Sequence, residues 1–352
     1  MNNRVLLALK NIEKEGLDAL LLSNPVNISY LTGFRPAEGY LLINSKRLVY
    51  FTNFIYAQEA RKLRMWKVNI SRSNIFANIV KETIALHIKN IGFEEKNISY
   101  LEYKKIKEMF LKEHIKFLPS YGIIEKMRSV KKKDEIALIK KAVDITSSGI
   151  EFIKEIMNPN MTEKYLQTET ERFLKLKGDD TLAFPPVVAF GKNTSIVHHI
   201  PSQKKLSNNK IILIDLGARY YGYCADLTRT VFLDKMPLSI KRIYGIVQRS
   251  AELAIKKIRE GVKINEVDKA ARDFIDKKGF GKYFGHGLGH GVGMSVHEEP
   301  YLNPFNSNIL KKGMVVTIEP AIYLPSKFGI RIENMILVKT NRAEVLSGDI
   351  YR

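Results

Sequence analysis

The 352-residue sequence holds a single cysteine, Cys224. One thiol excludes internal disulfides and fits a reducing compartment, so a cytoplasmic location is expected. No apolar run approaches the roughly 18 residues that a membrane span requires. The N-terminal stretch Met-Asn-Asn-Arg-Val-Leu-Leu-Ala-Leu-Lys mixes charge into apolar residues at helical spacing and lacks a small-residue cleavage site. It reads as the first helix of a domain rather than a signal peptide. Low-complexity tracts and repeats recognisable by residue identity are also missing. Acidic residues are scarce relative to basic ones, 37 against 57, for a formal charge of +20. Such an excess invites a nucleic-acid reading through counterion release. The basic residues are scattered, however, as in Arg61-Lys-Leu-Arg64, Lys131-Lys-Lys133 and Lys204-Lys205, with acids interleaved and no recognition-helix or zinc-finger pattern. Nucleic acid is therefore not an expected partner, and Lys131 to Lys133 are expected to be solvated at a helix start.

What is present is ordinary for a folded protein: 45% hydrophobic and 27% charged residues, in a chain long enough for two domains. Residues 1–123 read as a small α/β unit, with a helix over 3–15 and the apolar strand Leu17-Asp-Ala-Leu-Leu-Leu-Ser23. Asn24-Pro25 supplies a turn signal, and further strands fall over 39–44, 47–51 and 90–93 with helices between and after them. A long amphipathic pattern begins at Lys133, with Ile136, Ile139, Ala142 and Val143 at helical spacing, so the boundary is placed at 123/124. Residues 124–352 alternate helices over 133–157, 162–177, 238–260 and 264–278 with β-rich segments over 181–190, 210–233, 314–323 and 329–340.

Two of those β-rich segments carry acids in apolar strands. Residues 210–233 read as a hairpin with its tip at Arg219-Tyr-Tyr-Gly222. Symmetric closure about 220 and 221 makes Asp215 and Asp226 direct cross-strand partners, with Cβ atoms about 5 Å apart. The segments Val315–Tyr323 and Gly329–Val338 form a second hairpin, and folding about Ser326 pairs Glu319 with Glu333. Neutralisation by Arg229 or Arg331, or an exposed sheet face, would account for one such pair. Four acids in apolar strands point instead to a polynuclear metal centre, because buried carboxylates are costly unless paired or metal-bound. A carboxylate-rich set with an imidazole suits Mn, Co, Fe or Zn.

Between the hairpins lies Phe284-Gly-His-Gly-Leu-Gly-His-Gly-Val-Gly-Met-Ser-Val-His-Glu-Glu-Pro300. Its glycines recur at every second residue, which is not the dinucleotide fingerprint. His286 and His290 have zincin spacing, but Gly287 stands where that motif has Glu, and the run is a poor helix former. A ligand, a substrate contact and a structural part all stay open to His286, His290 and His297. The glycines are expected to let the backbone pass close to metal and substrate.

The ordered set Asp215, Asp226, His290, Glu319 and Glu333 resembles the five-ligand dinuclear site of the pita-bread metallopeptidases, which include methionine aminopeptidase, aminopeptidase P and prolidase. The supporting motifs are Ile214-Asp-Leu-Gly217, Asp226-Leu-Thr-Arg-Thr230, Gly289-His-Gly-Val-Gly293, Val296-His-Glu-Glu-Pro300, Thr317-Ile-Glu-Pro320 and Arg331-Ile-Glu-Asn334. Gly16-Leu-Asp-Ala-Leu-Leu-Leu22 and Asn27-Ile-Ser-Tyr-Leu-Thr-Gly-Phe34 are similar to the creatinase-type N-terminal domain of the proline-directed members. The resemblance implies an α+β protein, with a creatinase-type α/β domain over 1–123 and a pita-bread catalytic domain over 124–352. It implies two divalent metal ions, manganese first among Mn, Co, Zn and Fe, with Asp226 and Glu333 bridging, Asp215 on one ion, and His290 with Glu319 on the other. Glu319 is implied as proton acceptor. His198, at the family's spacing before Asp215 and preferred over its neighbour His199, and His297 are implied as substrate-side groups that bond the carbonyl. Arg331 is implied to orient the acids, and a homodimer is implied as the assembly.

The implied substrates are peptides with proline in the second position, whose scissile bond lacks an amide N–H. Prolidases resembling this chain place an arginine after His-Glu-x-Pro, where Tyr301 stands here. That difference favours the aminopeptidase P type, with the Xaa-Pro dipeptidase (prolidase) as alternative. Methionine aminopeptidase, which generally lacks the N-terminal domain, is less favoured. So are a creatinase-like amidinohydrolase, which does not use the metals, and a non-catalytic RNA- or ribosome-binding homologue, since no ligand is lost.

Overall fold

Short apolar runs, each the length of one strand, build a six-stranded sheet in the N-terminal unit. Its spatial order is Lys67–Ser71, Leu48–Asn53, Tyr40–Asn44, Ala19–Leu22, Asn90–Glu94 and Lys116–Ser120. Ala19–Leu22 pairs antiparallel with Tyr40–Asn44 but parallel with Asn90–Glu94, which pairs parallel with Lys116–Ser120. Parallel neighbours need crossover connections, and the helices Ile75–Ala85 and Tyr100–Lys112 supply them. Asn24-Pro25 opens a helix, Pro25–Thr32, rather than a turn: Asn24 Oδ1 accepts the Val26 amide at 2.9 Å, and proline sits where its missing N–H is harmless. The structure, a computed structural model, describes residues 3–34, 38–179, 181–207, 211–233 and 236–348. Lys210, the first residue of the expected strand segment 210–233, lies outside them.

The chain divides into two compact units, Met1–Arg128 and Ser129–Arg352, rather than at 123/124. The helix Ile123–Ser129 begins in the first unit because Glu125 Oε1 accepts from the Asn27 side chain at 2.7 Å and Arg128 Nη1 donates to it at 2.8 Å. Among the described residues, no helix is long and apolar enough to cross a membrane.

The second unit follows one plan twice, although residue identity shows no repeat. The helices Lys133–Ile156 and Glu163–Lys177 bury Ile139, Val143, Leu166 and Leu174 against Val188, Ile212 and Ile214. Those strands form a three-stranded sheet in the order Leu227–Phe232, Ile211–Leu216, Val187–Phe190. The helices Leu238–Lys257 and Ile264–Lys277 bury Val247, Ala251, Val267 and Ala271 against Val316, Ile318 and Ile336. Here the sheet has five strands, ordered Glu298–Leu302, Gly289–Gly291, Val315–Ile318, Asn334–Val338 and Ala343–Val345. Each fully buried aliphatic side chain contributes about 1.5–3 kcal/mol, so the two layers hold the hairpins rigidly.

Lys131, expected in solvent, is buried. Its side chain is 1% exposed, and its ammonium lies 2.8 Å from Glu298 Oε1, whose side chain is 6% exposed. The backbone puts it there, since the Lys131 amide donates to Gly313 O at 2.9 Å and so pulls the residue inside before the helix starts.

Candidate metal centre

The first hairpin turns on Tyr221 and Gly222, which have φ of 46° and 85°. Two residues at positive φ suit a two-residue turn whose twist matches the strands. Asp179 accepts both turn amides, at 2.9 and 2.8 Å. Closure is therefore one residue later than symmetry about 220 and 221 gives: Tyr220 pairs with Tyr223, Leu216 with Leu227, and Asp215 with Thr228. Asp226 is not the direct partner of Asp215. The partner has moved by two positions, an even number, so Asp226 keeps the same face and approaches Asp215 diagonally.

The second hairpin keeps its expected register. Ser326 sits at the tip with φ of 60°, Leu324 pairs with Phe328, and Ala321 with Arg331. Beyond the acids the same register resumes at Ile318 and Asn334. Glu319 and Glu333 occupy the gap, where the ladder opens: the Glu319 amide donates to Leu288 O at 2.9 Å, and the Glu333 amide to Thr228 O at 3.1 Å. The gap thus ties the hairpin to the glycine-rich segment on one side and to the first hairpin on the other.

That glycine-rich segment contains a strand, Gly289–Gly291, between two neighbours. A Cβ on Gly289 would lie 2.1 Å from Thr317 O, and one on Gly291 2.3 Å from Glu299 O. Glycine is required here by the flanking backbones.

These connections bring the acids together. Ligand-type atoms of Asp215, Asp226 and Glu333 lie within 4.8 Å of one another, as do those of His290, Glu319 and Glu333, and those of Asp226, His290 and His297. His290 Nε2 is 3.4 Å from Glu319 Oε1 and 3.6 Å from Asp226 Oδ2. The His290 and His297 rings meet edge to face, 4.2 Å between centres. All six residues border a cavity of about 570 Å³ whose wall also carries His198, His199, His286 and Arg331.

Charge decides what the cluster can hold. Arg331 Nη2 donates to Asp215 Oδ2 at 2.5 Å, Nη1 to Tyr323 Oη at 2.7 Å, and Nε to Thr228 Oγ1 at 2.9 Å. Thr228 in turn donates to Glu333 Oε2 at 2.8 Å. Arg229 spends its Nη1 on the backbone carbonyls of Thr228 and Glu333. One guanidinium therefore faces four carboxylates. Burial, with the Glu333, Asp215 and Glu319 charges added, holds the Asp226 carboxyl well above the usual carboxylate range. Burial and the Glu333 charge do the same to Glu319. Burial and then Asp215 push Glu333 up to about 7. Burial, followed by the neighbouring His297, lowers His290 to about 4, leaving a neutral imidazole. Asp215 Oδ1 is buried with no hydrogen-bond partner. Excess negative charge, an orphaned carboxylate oxygen and a neutral imidazole together fit divalent cations.

The histidines sort by their contacts. His286 Nδ1 faces Gly287 O at 2.8 Å, and a carbonyl only accepts, so Nδ1 carries the proton. Its Nε2 accepts from Tyr323 Oη at 3.3 Å, so both nitrogens are occupied and His286 has none to spare for an ion. His290 Nδ1 faces Gly291 O at 3.2 Å, which turns Nε2 towards the acids, the orientation of a metal-ligating imidazole. His198 and His199 both line the cavity, and His199 Nε2 is in addition held 2.8 Å from Glu163 Oε2. Thr228 and Tyr323 were not legible as members of this network. Period-two alternation offered a signal, because Thr228 shares the face of Asp226 and Tyr323 that of Glu319.

The raised carboxylates carry a prediction for the metal-free protein. Glu333 binds its proton up to about 7 when folded but only to 4.5, its ordinary value, when unfolded. Between those values the native state holds more protons, so stability falls as pH rises through that window. Thermal unfolding in chelator is expected to show a lower Tm at pH 8 than at pH 5.5 from this site. Saturating divalent metal should oppose that trend, since ligation requires the deprotonated forms.

Comparison with known proteins identifies the family. The model of metallopeptidase family M24 matches residues 137–340, and that of the creatinase/prolidase N-terminal domain matches residues 4–130. An Xaa-Pro dipeptidase of Pyrococcus horikoshii is 32% identical over 99% of this chain and 97% of its own. Among solved structures, an Xaa-Pro dipeptidase from Bacillus anthracis superposes with a TM-score of 0.93 at 32% identity, covering 98% of this chain and 97% of that one. An X-Pro aminopeptidase from Thermotoga maritima superposes with a TM-score of 0.88 at 32% identity, covering 97% and 98%. The chain belongs to metallopeptidase family M24, the pita-bread metallopeptidases, and joins that catalytic domain to a creatinase/prolidase-type N-terminal domain.

Proposed function

We propose that this protein is an Xaa-Pro dipeptidase that holds two divalent ions, manganese by preference, on Asp215, Asp226, His290, Glu319 and Glu333. The observation that carries the reading is the convergence of four acids, two buried and two half-buried, and one neutral imidazole on a single cavity. Near-full-length similarity to Xaa-Pro dipeptidases supports the dipeptide alternative over the aminopeptidase P type that Tyr301 favoured. Bound ions would lower the pKa of water and neutralise charge developing on the carbonyl oxygen. Glu319, held in place through Thr317 Oγ1 at 3.3 Å, is the proton acceptor. His198 and His297 hydrogen-bond the scissile carbonyl from the cavity wall. Arg331 orients Asp215 directly and Glu333 through Thr228. A homodimer and a cytoplasmic location belong to the same proposal, the latter supported by the single buried thiol.

Manganese-loaded protein should cleave an Xaa-Pro dipeptide with at least tenfold higher kcat/KM than an Xaa-Pro-Yaa peptide, and leave a Met-Ala-Yaa peptide intact. A preference for the longer substrate would move the assignment to the aminopeptidase P type, the reading Tyr301 supports. Cleavage of neither proline substrate, with metal shown to be bound, would sink both.

A further inference from the structure

Glu163 lies outside the acid cluster, in the first turn of the helix Glu163–Lys177, with no exposed surface. Its carboxylate accepts five hydrogen bonds. Oε1 takes Phe190 N at 2.7 Å and Asn193 Nδ2 at 2.8 Å. Oε2 takes Ser202 N at 3.0 Å, Ser202 Oγ at 2.6 Å and His199 Nε2 at 2.8 Å. The donors bracket residues 190–202, the segment that carries His198 and His199 past the cavity. Backbone bonds from Lys164 N to Ser202 O and from Glu163 N to Lys204 O close the same bracket, and Lys204 Nζ reaches Phe190 O at 2.6 Å. Burial opposes the charge, but the bonds from Ser202, His199 and Asn193 outweigh it and hold the carboxyl below its usual range. A buried charge satisfied this fully is a rigid anchor, and its loss leaves several buried donors unmatched.

We infer that Glu163 is a positioning residue for the reaction: it fixes the segment 190–202 so that His199 is held inward and His198 is presented to the substrate. The two histidines are adjacent in the chain, so fixing the ring of one fixes the backbone from which the other projects. The inference rests on the peptidase reading for its kinetic test, and its structural test is independent of that reading.

Glu163→Gln keeps the shape but replaces one acceptor oxygen with an amide donor. In the full-length, manganese-loaded protein it is expected to lower kcat for an Xaa-Pro dipeptide about 10- to 100-fold, the range that small misplacement of a reacting group produces. Manganese affinity, measured by titration, should stay near the parent value. His198→Ala added to Glu163→Gln should cost little more, because the histidine is already misplaced. Hydrogen exchange at the Phe190 and Ser202 amides should speed up. Parent-like kcat, fully multiplicative losses in the double variant, or unchanged exchange at those amides would each overturn the inference. Should Glu163→Gln fail to fold, Ser202→Ala removes one donor with less disturbance, and the same pattern is expected at smaller amplitude, with a parent-like rate and exchange overturning it. If the parent itself leaves Xaa-Pro peptides intact, the peptidase reading falls, while the exchange result still decides whether Glu163 holds the segment.

Discussion

Asp226→Asn is expected to reduce Xaa-Pro hydrolysis by on the order of 10³-fold or more, equivalent to losing roughly 4 kcal/mol of transition-state stabilisation. The substitution changes one oxygen to an amide nitrogen at a position common to two of the three ligand groups, so metal affinity should fall with it. Its effect on the metal-free protein should have the opposite sign. Asp226 is held well above the usual carboxylate range by burial and by Glu333, Asp215 and Glu319. The apo fold therefore prefers it uncharged, and asparagine is permanently so. In chelator at neutral pH the variant should unfold at the same temperature as the parent or a higher one. Adding manganese should raise the parent's Tm through ligand linkage and raise the variant's much less. A variant that loses stability in chelator along with activity would point to a structural role for the carboxylate instead. Glu333→Gln, whose carboxyl is pushed up to about 7, should behave in the same way.

Lys131→Met should cost about 3–5 kcal/mol of folding stability, the range found when one partner of a buried ion pair is removed. At the size of the second unit that is a Tm loss of roughly 10 °C. The residue belongs to a basic triplet that reads as solvated surface, yet its ammonium is buried 2.8 Å from Glu298. The carboxylate left behind stays buried without that ammonium, and restoring neutrality should recover much of the loss. Adding Glu298→Gln to Lys131→Met is therefore expected to be less damaging than Lys131→Met alone. Thermal and urea unfolding of the two variants and the parent measure it. A loss below about 1 kcal/mol for Lys131→Met, the value typical of surface pairs, would contradict the buried geometry.

The contrast between the two hairpins shows how far local pattern reaches. In the second, the tip lies at Ser326 with the acids equidistant from it, and the observed register agrees, with the turn closed locally by the Lys327 amide donating to Leu324 O at 3.0 Å. In the first, Asp179 accepts both turn amides from far back in the chain and draws the closure to Tyr221 and Gly222. Asp215 and Asp226 still share a face, because an even shift preserves side-chain direction. The glycines around His290 were legible as a requirement for bare backbone, but what needs the space is Thr317 O and Glu299 O on neighbouring strands. Lys131 and Glu163 were illegible for a related reason: their partners lie at Glu298 and at 190–202, and composition says nothing about which distant residues a fold brings within hydrogen-bond reach.

By itself, then, the sequence determined the helix spans of the second unit, the two-domain plan and the candidate acids. Amphipathic periodicity and charges inside apolar strands are local signals whose cost does not depend on the rest of the fold. The tertiary structure alone decided that Arg331 balances only one of the four acids directly, that His286 has no free nitrogen while His290 does, and that Lys131 is buried. Each of these depends on distance and desolvation between residues far apart in the chain, and those quantities exist only once the chain has folded.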